Sequence, residues 1–322
     1  MPPEPEPPEV DVGSGVSVGL GVWLGLGVAV SCESSVSSAS SVSFGSGVAM
    51  ARGRGVARAA LLDELSSPDE PPWLSAGSLD MSMSTGLVDP IRAIDQGAAI
   101  ALARFEVQAP PYALLAKSSI KTLKDLKGKV ISVGGPKDIT RIYVERMLAP
   151  QGLKTGDYDF VYAGATSARA QALLGGAVDA AVLLPPSNFQ VQNAGYNDLG
   201  LAMQYAPELA FSGTVVNKAW AARDANLVKR VLAAQSKSTD YLYDPQNRAE
   251  VVRILVAVSG QKPEDVEKSY DFFNKNNFFD RTGKISRLKL NAVIDTLVGL
   301  GDVQTRGNVE RFLLPGVAEL SD

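Results

Sequence analysis

From Leu74 onward the spacing of apolar residues switches repeatedly between the period of a strand and that of a helix. LSAGSLDMSMSTG reads as a helix end, a turn and a short strand over DMSMS that stops at a Ser84-Thr85-Gly86 loop. VDPIRAIDQG predicts a helix around Pro90 to Gln96, ended by Gly97, and Ile100 to Phe105 predicts the next strand. YALLAK is a further apolar strand. SIKTLKDLKGKVISVGG predicts a compact helix, a Gly128 stop and a buried strand from Val130 to Val133.

In PKDITRIYVERMLAPQGL, Ile139, Ile142, Tyr143 and Met147 fall on one helical face. Asp138 has the side chain of an N-cap, Pro136 sits where a helix can begin, and Gly152 marks a C-terminal stop. YDFVYAG is a strand, and ATSARAQALLGGAVDAAVLLPP gives a loop, a helix opened by Thr166 and Ser167, a turn and a strand. This alternation predicts an α/β protein with a doubly wound sheet. From FSGTVVNKAWAARDANLVKRVLAAQ the pattern becomes mainly helical, with Leu227, Val231 and Ala234 in one stripe. Further helices are predicted through AEVVRILVAV, EDVEKSYDFF and SRLKLNAVIDTLVGLG, and Tyr270, Phe272, Phe273, Phe278 and Phe279 read as core or interlobe packing.

Residues 1–72 differ in kind. They contain no Lys, Ile, Asn, Gln, Thr or Tyr, and they carry nine acidic residues against three Arg, whereas the remainder is nearly balanced. The uncharged segment VGSGVSVGLGVWLGLGVAVSC is long enough to raise a membrane or signal assignment. Against that, it follows an acidic stretch, MPPEPEPPEVD, and alternates apolar residues with Gly or Ser at period two. AVSC, ending at Cys32, is a weak lipoprotein-like signal, so no convincing signal peptide is read here. Two other readings stand beside it: a low-complexity, disordered leader containing SCESSVSSASSVSFGSG, or GC-rich DNA translated in an unintended frame, since the missing residue types have largely A/T-rich codons.

Composition narrows the chemistry. With 322 residues, 45% hydrophobic and 20% charged, the chain has the make-up of a globular protein of one domain or two lobes. A net charge of −4 argues against a nucleic-acid partner. The single Cys rules out an intrachain disulfide or a thiolate cage. Without any histidine there is no imidazole-based nucleophile system and no His-ligated metal, so no catalytic residue, metal or cofactor is assigned and the prior shifts to binding.

The candidate binding chemistry lies at helix starts. A glycine turn from a strand into a helix, as at Gly134-Gly135, exposes backbone N–H groups and the positive end of the helix dipole to an anion. Thr166 and Ser167 repeat the arrangement one unit later, at the strand ends where ligands of open sheets gather. A tight connection that binds nothing, or an ordinary Ser/Thr cap, accounts for the same residues equally well.

In their order and spacing, LSAGSLD (74–80), IKTLKDLKGKVISVGG (120–135), MLAPQGL (147–153), ALLGGAVDAAVLLPP (172–186) and LNAVIDTLVGLG resemble the periplasmic substrate-binding proteins of ABC importers. The similarity is to the nitrate/sulfonate/taurine branch, which also includes thiamine-precursor binders, and it spans about three quarters of the chain. It implies a type II periplasmic-binding-protein fold, in which two doubly wound lobes joined by two crossing strands close on a ligand by hinge motion. The first lobe would comprise 73–112 and 211–322, the second 113–210, with 1–72 as an atypical leader. The resemblance assigns ligand contacts to Ser84 and Thr85 in the first lobe and to Gly135, Asp138, Ile139, Thr140, Thr166 and Ser167 in the second. It also implies a small-molecule ligand such as a sulfonate or nitrate, an ABC permease in the inner membrane as partner, a periplasmic location, a monomer, and no enzymatic activity.

Two departures accompany the resemblance. Asp138 stands where relatives often have a neutral Ser or Thr, which leaves a cationic or neutral heterocyclic ligand open. The family's opening strand-helix-strand, with a phrase like GYFKEEGLDV, is not found upstream of Leu74, so the resemblance implies an incomplete first lobe. A thiamine-pyrimidine-precursor binder, a small-molecule enzyme of the same fold and an inactive truncated fragment are the alternatives.

Overall fold

The computed structural model describes residues 9–11, 17–19, 48–51 and 79–321. Cys32, most of the uncharged segment before it and the expected helix end over 74–78 lie outside the described residues. Two compact units emerge, one formed by described residues up to 107 together with 212–321, the other by 108–211.

The first unit opens with β1 (Glu9–Asp11) and β2 (Ser17–Gly19), an antiparallel pair, and β3 (Val48–Ala51), which lies antiparallel on β4 (Leu79–Gly86). β4 is the expected DMSMS strand carried further. Ser84, Thr85 and Gly86, which the sequence assigns to a loop, continue the strand because Thr85 and Gly86 pair with Gly213 and Ser212, distant in sequence. Helix α1 (Val88–Asp95) buries Val88, Pro90, Ile91, Ala93 and Ile94, and Gly97 turns the chain at φ 95°. All eight residues of β5 (Ile100–Val107) are buried, Arg104 and Glu106 among them.

The second unit contains β6 (Ala113–Ala116), β7 (Val130–Val133), α2 (Ile139–Leu148), β8 (Asp159–Tyr162), α3 (Thr166–Leu174), β9 (Ala180–Leu183), α4 (Ser187–Asn193) and β10 (Asn197–Leu201). Its five-stranded sheet has the order β10-β6-β9-β7-β8, in which β7 runs parallel to both β8 and β9. The compact helix expected between Ile120 and Lys127 contracts to one 3₁₀ turn, Leu123–Leu126. Asp125 bends back to accept the N–H groups of Lys121 (3.0 Å) and Thr122 (2.9 Å), which closes the start of the turn, and extended Lys127 followed by left-handed Gly128 (φ 70°) ends it. On one face of the sheet, Ala170, Leu173, Val178 and Val191 pack against Ala113, Leu115, Ala181 and Leu183. Full burial of a leucine such as Leu173 contributes about 1.5–3 kcal/mol, so this face is a principal stabiliser of the unit.

The chain then returns to the first unit through β11 (Ser212–Asn217). This strand was not legible as one, because Gly213 and Asn217 interrupt the pattern, yet all six residues are buried. It completes the sheet order β3-β4-β11-β5, antiparallel to both neighbours. Helices α5 (Lys218–Arg223) and α6 (Ala225–Tyr243) follow, each started by a side-chain cap: Asn217 accepts the N–H of Trp220, and Asp224 that of Leu227. Met81, Met83, Ala101, Ala103 and Val216 alternate onto one sheet face, where Trp220, Val228, Val231 and Ala234 cover them. Helices α7 (Arg248–Ser259), α8 (Pro263–Lys275) and α9 (Arg287–Gly299) complete the unit with a short parallel pair, β12 (Ile285–Ser286) and β13 (Leu320–Ser321). The aromatic run is core: Phe273 contacts Phe272, Phe278 and Phe279, with ring centroids 5.1–5.7 Å apart. Among the described residues no helix is long and apolar enough to cross a membrane.

Gly213 is a close-approach position, since a Cβ added there would lie 2.5 Å from the Arg104 carbonyl oxygen, whereas one added at Gly86 would meet nothing within 4 Å. Gly213→Ala is therefore expected to lower unfolding stability by about 1–3 kcal/mol, as overpacking against backbone does. Gly86→Ala, the control, is expected to change it by less than about 1 kcal/mol. Urea denaturation of both variants checks the difference.

Candidate functional site

Because β7 and β8 are parallel neighbours, they end at the same sheet edge. Val133 pairs with Tyr162, after which Ala163 N–H donates to Val133 O (3.0 Å) and Gly164 N–H to Gly134 O (2.9 Å). The two following loops therefore run side by side, and α2 and α3 both start there. The structure thus brings Gly135, Asp138, Ile139, Thr140, Thr166 and Ser167 to one edge of the second unit.

The two helix starts differ electrically. At α2 the Asp138 carboxylate accepts the Thr140 N–H (2.8 Å) and the Thr140 hydroxyl through the same oxygen, Oδ1. Thr140 Oγ1 in turn accepts the Gly134 N–H (2.8 Å), so cap, helix and glycine turn form one network. Gly134 has no room for a side chain, as a Cβ would sit 2.5 Å from the Asp138 carboxyl carbon. The expectation of open amides at this start is thereby corrected: Asp138 already occupies the place of an anion, and its full charge outweighs the half charge of the helix dipole. Pro136, rather than opening the helix, lies in the turn before the cap, and Ile139 is only half-buried while Val144 and Leu148 join the packed face.

At α3 the N-cap position is Ala165, and no side chain caps the helix. Ser167 is exposed, and Thr166 Oγ1 accepts a hydrogen bond from Arg169 Nη2 (2.9 Å). Arg169 is buried, donating also to Val182 O (2.8 Å) and to Gly164 O, and its guanidinium lies 5.9 Å from the Tyr112 ring centroid. A fixed cation thus underlies the uncapped helix start.

Tyr112 is ringed by aromatic groups, with Tyr143 at 5.7 Å and Phe211 edge-on at 5.4 Å. Burial pushes the Tyr112 hydroxyl up in pKa, opposed by Arg169 and reinforced by Asp138. Burial likewise drives Tyr143 well above the usual phenol value, with Tyr112 and Asp138 adding to the effect. The Tyr143 hydroxyl is fully buried and has no hydrogen-bond partner among the described residues. Both phenols stay protonated at neutral pH and offer hydrogen bonds, not nucleophiles.

In the first unit, Ser84 adopts φ 54°, a left-handed conformation that costs a non-glycine residue about 1–2 kcal/mol. Its N–H donates to Glu106 Oε2 (2.5 Å), and Thr85 Oγ1 lies 2.7 Å from Ser82 Oγ. The other carboxylate oxygen of Glu106 accepts the Thr214 hydroxyl and Gln235 Nε2 (2.9 Å). On the same strand face, buried Arg104 donates to the carbonyls of Phe105, Leu232 and Asp280 and to Ser236 Oγ. Desolvation lowers the Arg104 pKa, while the Glu106 and Asp280 carboxylates act in the opposite direction. The two buried charges thus offset each other at a distance while each spends its hydrogen bonds on neutral partners.

Sequence reasoning missed Tyr112, Tyr143 as a polar group, Arg169, Glu106 and Gln235. Arg104 and Glu106 did carry a signal, because two opposite charges two residues apart inside the apolar run IALARFEV share one strand face.

Comparison with known proteins follows the same lines. The model of the family described as NMT1/THI5 like matches residues 65–249. Comparison with curated proteins gives no match. The alkanesulfonate-binding protein SsuA from Xanthomonas axonopodis pv. citri, bound to MOPS, aligns with a TM-score of 0.62 at 22% identity, over 79% of this chain and 86% of that one. For the periplasmic aliphatic sulphonate binding protein SsuA from Escherichia coli the values are 0.60 and 22%, over 76% and 83%. The desulfurization enzyme DSZB also aligns, with a TM-score of 0.56 at 14% identity, over 72% and 82%. The fold is therefore that of the periplasmic binding proteins, a scaffold that also carries an enzyme.

An unsatisfied buried hydroxyl is a liability in the unliganded protein, so Tyr143→Phe is expected to leave stability unchanged or raise it by about 1 kcal/mol. Tyr112 and Tyr143 keep protons that the unfolded chain releases above its phenol pKa of 10.0. Stability is thus unaffected below that pH and falls as pH rises beyond it. Urea denaturation between pH 8 and 11 should show the fall, and a shallower one in Tyr143→Phe.

Proposed function

The chain belongs to the NMT1/THI5-like family, and from that membership we propose that it is a non-enzymatic solute-binding component of an ABC importer, capturing a small organic or inorganic anion for a membrane permease. The observation that carries this reading is the side-by-side placement of two helix starts at one sheet edge, one of them uncapped and backed by buried Arg169. Main-chain amides at Thr166 and Ser167 suit a sulfonate or another oxyanion, the ligand class named for the two sulfonate-binding structures. Ser84 and Thr85 in the first unit, and Gly135 and Ile139 in the second, are proposed as further contacts; Thr140, buried with its N–H and hydroxyl both given to Asp138, is withdrawn as one. The reading carries with it a periplasmic location, a monomeric protein and a permease as partner. Protonated phenols and a chain without histidine favour capture over turnover.

Asp138 favours a second reading. Both donors from Thr140 fall on its Oδ1, no donor to Oδ2 is found among the described residues, and the negative charge disfavours an anion at this helix start. A solute bearing an amine or an aminoheterocycle would place a donor on that oxygen.

Isothermal titration of the full chain with ethanesulfonate, nitrate, acetate, an aminoalkanesulfonate and an aminopyrimidine tests both. The first reading expects heat with ethanesulfonate or another simple anion, and a gain of about 2.7 kcal/mol in stability at a ligand concentration 100 times Kd. Asp138→Asn should then tighten anion binding on the order of tenfold by removing a like charge. Under the second reading only the amine-bearing solutes bind, and Asp138→Asn weakens them. No heat with any of the five overturns the proposal, and product formation from a bound solute overturns its non-enzymatic part.

A further inference from the structure

We propose that Glu106 is a positioning residue for solute binding: through its bond to the Ser84 N–H it holds Ser84 in a left-handed kink near the end of β4, which sets the 84–85 segment in a conformation that the sequence would not otherwise adopt. The inference rests on the reading that this segment contacts the solute. Three observations support it. Serine is not a residue that takes φ 54° by preference, and Ser84 is one of two non-glycine residues with positive φ among the described residues. Its N–H points at a carboxylate rather than at a strand partner, 2.5 Å from Glu106 Oε2. That carboxylate is itself immobilised, because Thr214 on β11 and Gln235 on α6 saturate Oε1, and Glu106 is 1% exposed.

The carboxylate therefore acts as a fixed post. It consumes the Ser84 amide, so that amide is not a ligand donor; the proposed contacts are then the hydroxyls of Ser84 and Thr85, the latter 2.7 Å from Ser82 Oγ. The arrangement also explains a buried acid that forms no direct ion pair among the described residues: Arg104 two residues earlier offsets its charge, and its hydrogen bonds are spent on geometry.

A double-mutant cycle tests the role. Glu106→Asp withdraws the carboxylate by one methylene while keeping its charge beside Arg104, and Ser84→Gly allows the left-handed turn without assistance. Titrated with ethanesulfonate, Glu106→Asp should weaken binding about tenfold when residue 84 is serine, the size of the left-handed penalty. In the Ser84→Gly background it should cost less than about threefold. Equal losses in both backgrounds would show that Glu106 acts only through general stability, and would overturn the inference. Amide hydrogen exchange in the unliganded full chain gives an arm independent of ligand and of variant folding. The Ser84 N–H should exchange far more slowly than an exposed amide, and exchange at the exposed rate overturns the inference. If ethanesulfonate fails to bind the unmodified chain, the proposed ligand class falls, while the exchange measurement still decides the Glu106 bond.

Discussion

Parallel pairing of Val130–Val133 with Asp159–Tyr162 is the constraint on which the functional reading depends. Two parallel neighbours must end at the same edge, and each must leave it through a loop into a helix, because a parallel strand cannot be rejoined by a hairpin. Two sets of first-turn amides are thereby delivered to one place by topology alone. The Gly164 N–H to Gly134 O bond carries the pairing one step past the strands and fixes the loops against each other. Nothing at this edge requires a reactive side chain, which suits a chain without histidine.

The two helix starts are nonetheless not equivalent. One is closed by the Asp138 network, in which carboxylate, Thr140 and the Gly134 amide satisfy each other. The other begins at Ala165 without a cap and rests on the Arg169 guanidinium. A negative and a positive field thus sit side by side, one from the Asp138 carboxylate and one from the Arg169 guanidinium. In the first unit the same economy recurs in a different form: Glu106 and Arg104 bury opposite charges on one strand face and use their hydrogen bonds to set backbone geometry.

Local chemistry made much of this legible. Val130–Val133 was bounded correctly by its apolar run and Gly134-Gly135, and Asp138 was identifiable as a cap from its place before the periodic helix. What failed was nonlocal. β11 does not show in the sequence because its identity comes from lying between β4 and β5, not from its own residues, and Ser84 and Thr85 read as loop for the same reason. The amides expected to be open at α2 are closed because a cap side chain satisfies the group that a ligand would otherwise satisfy, and the sequence shows the residue without showing where its oxygens point. Arg169 was hidden for the opposite reason: on a helix rich in alanine it reads as surface, yet three acceptors draw it inside.

The claim that main-chain amides at the uncapped start of α3 receive the solute is most directly tested by nuclear magnetic resonance of the uniformly ¹⁵N-labelled full chain titrated with ethanesulfonate. Saturable shifts should be largest at the amides of Thr166 and Ser167. Saturable shifts confined to other parts of the chain, with these amides unmoved, would contradict the account.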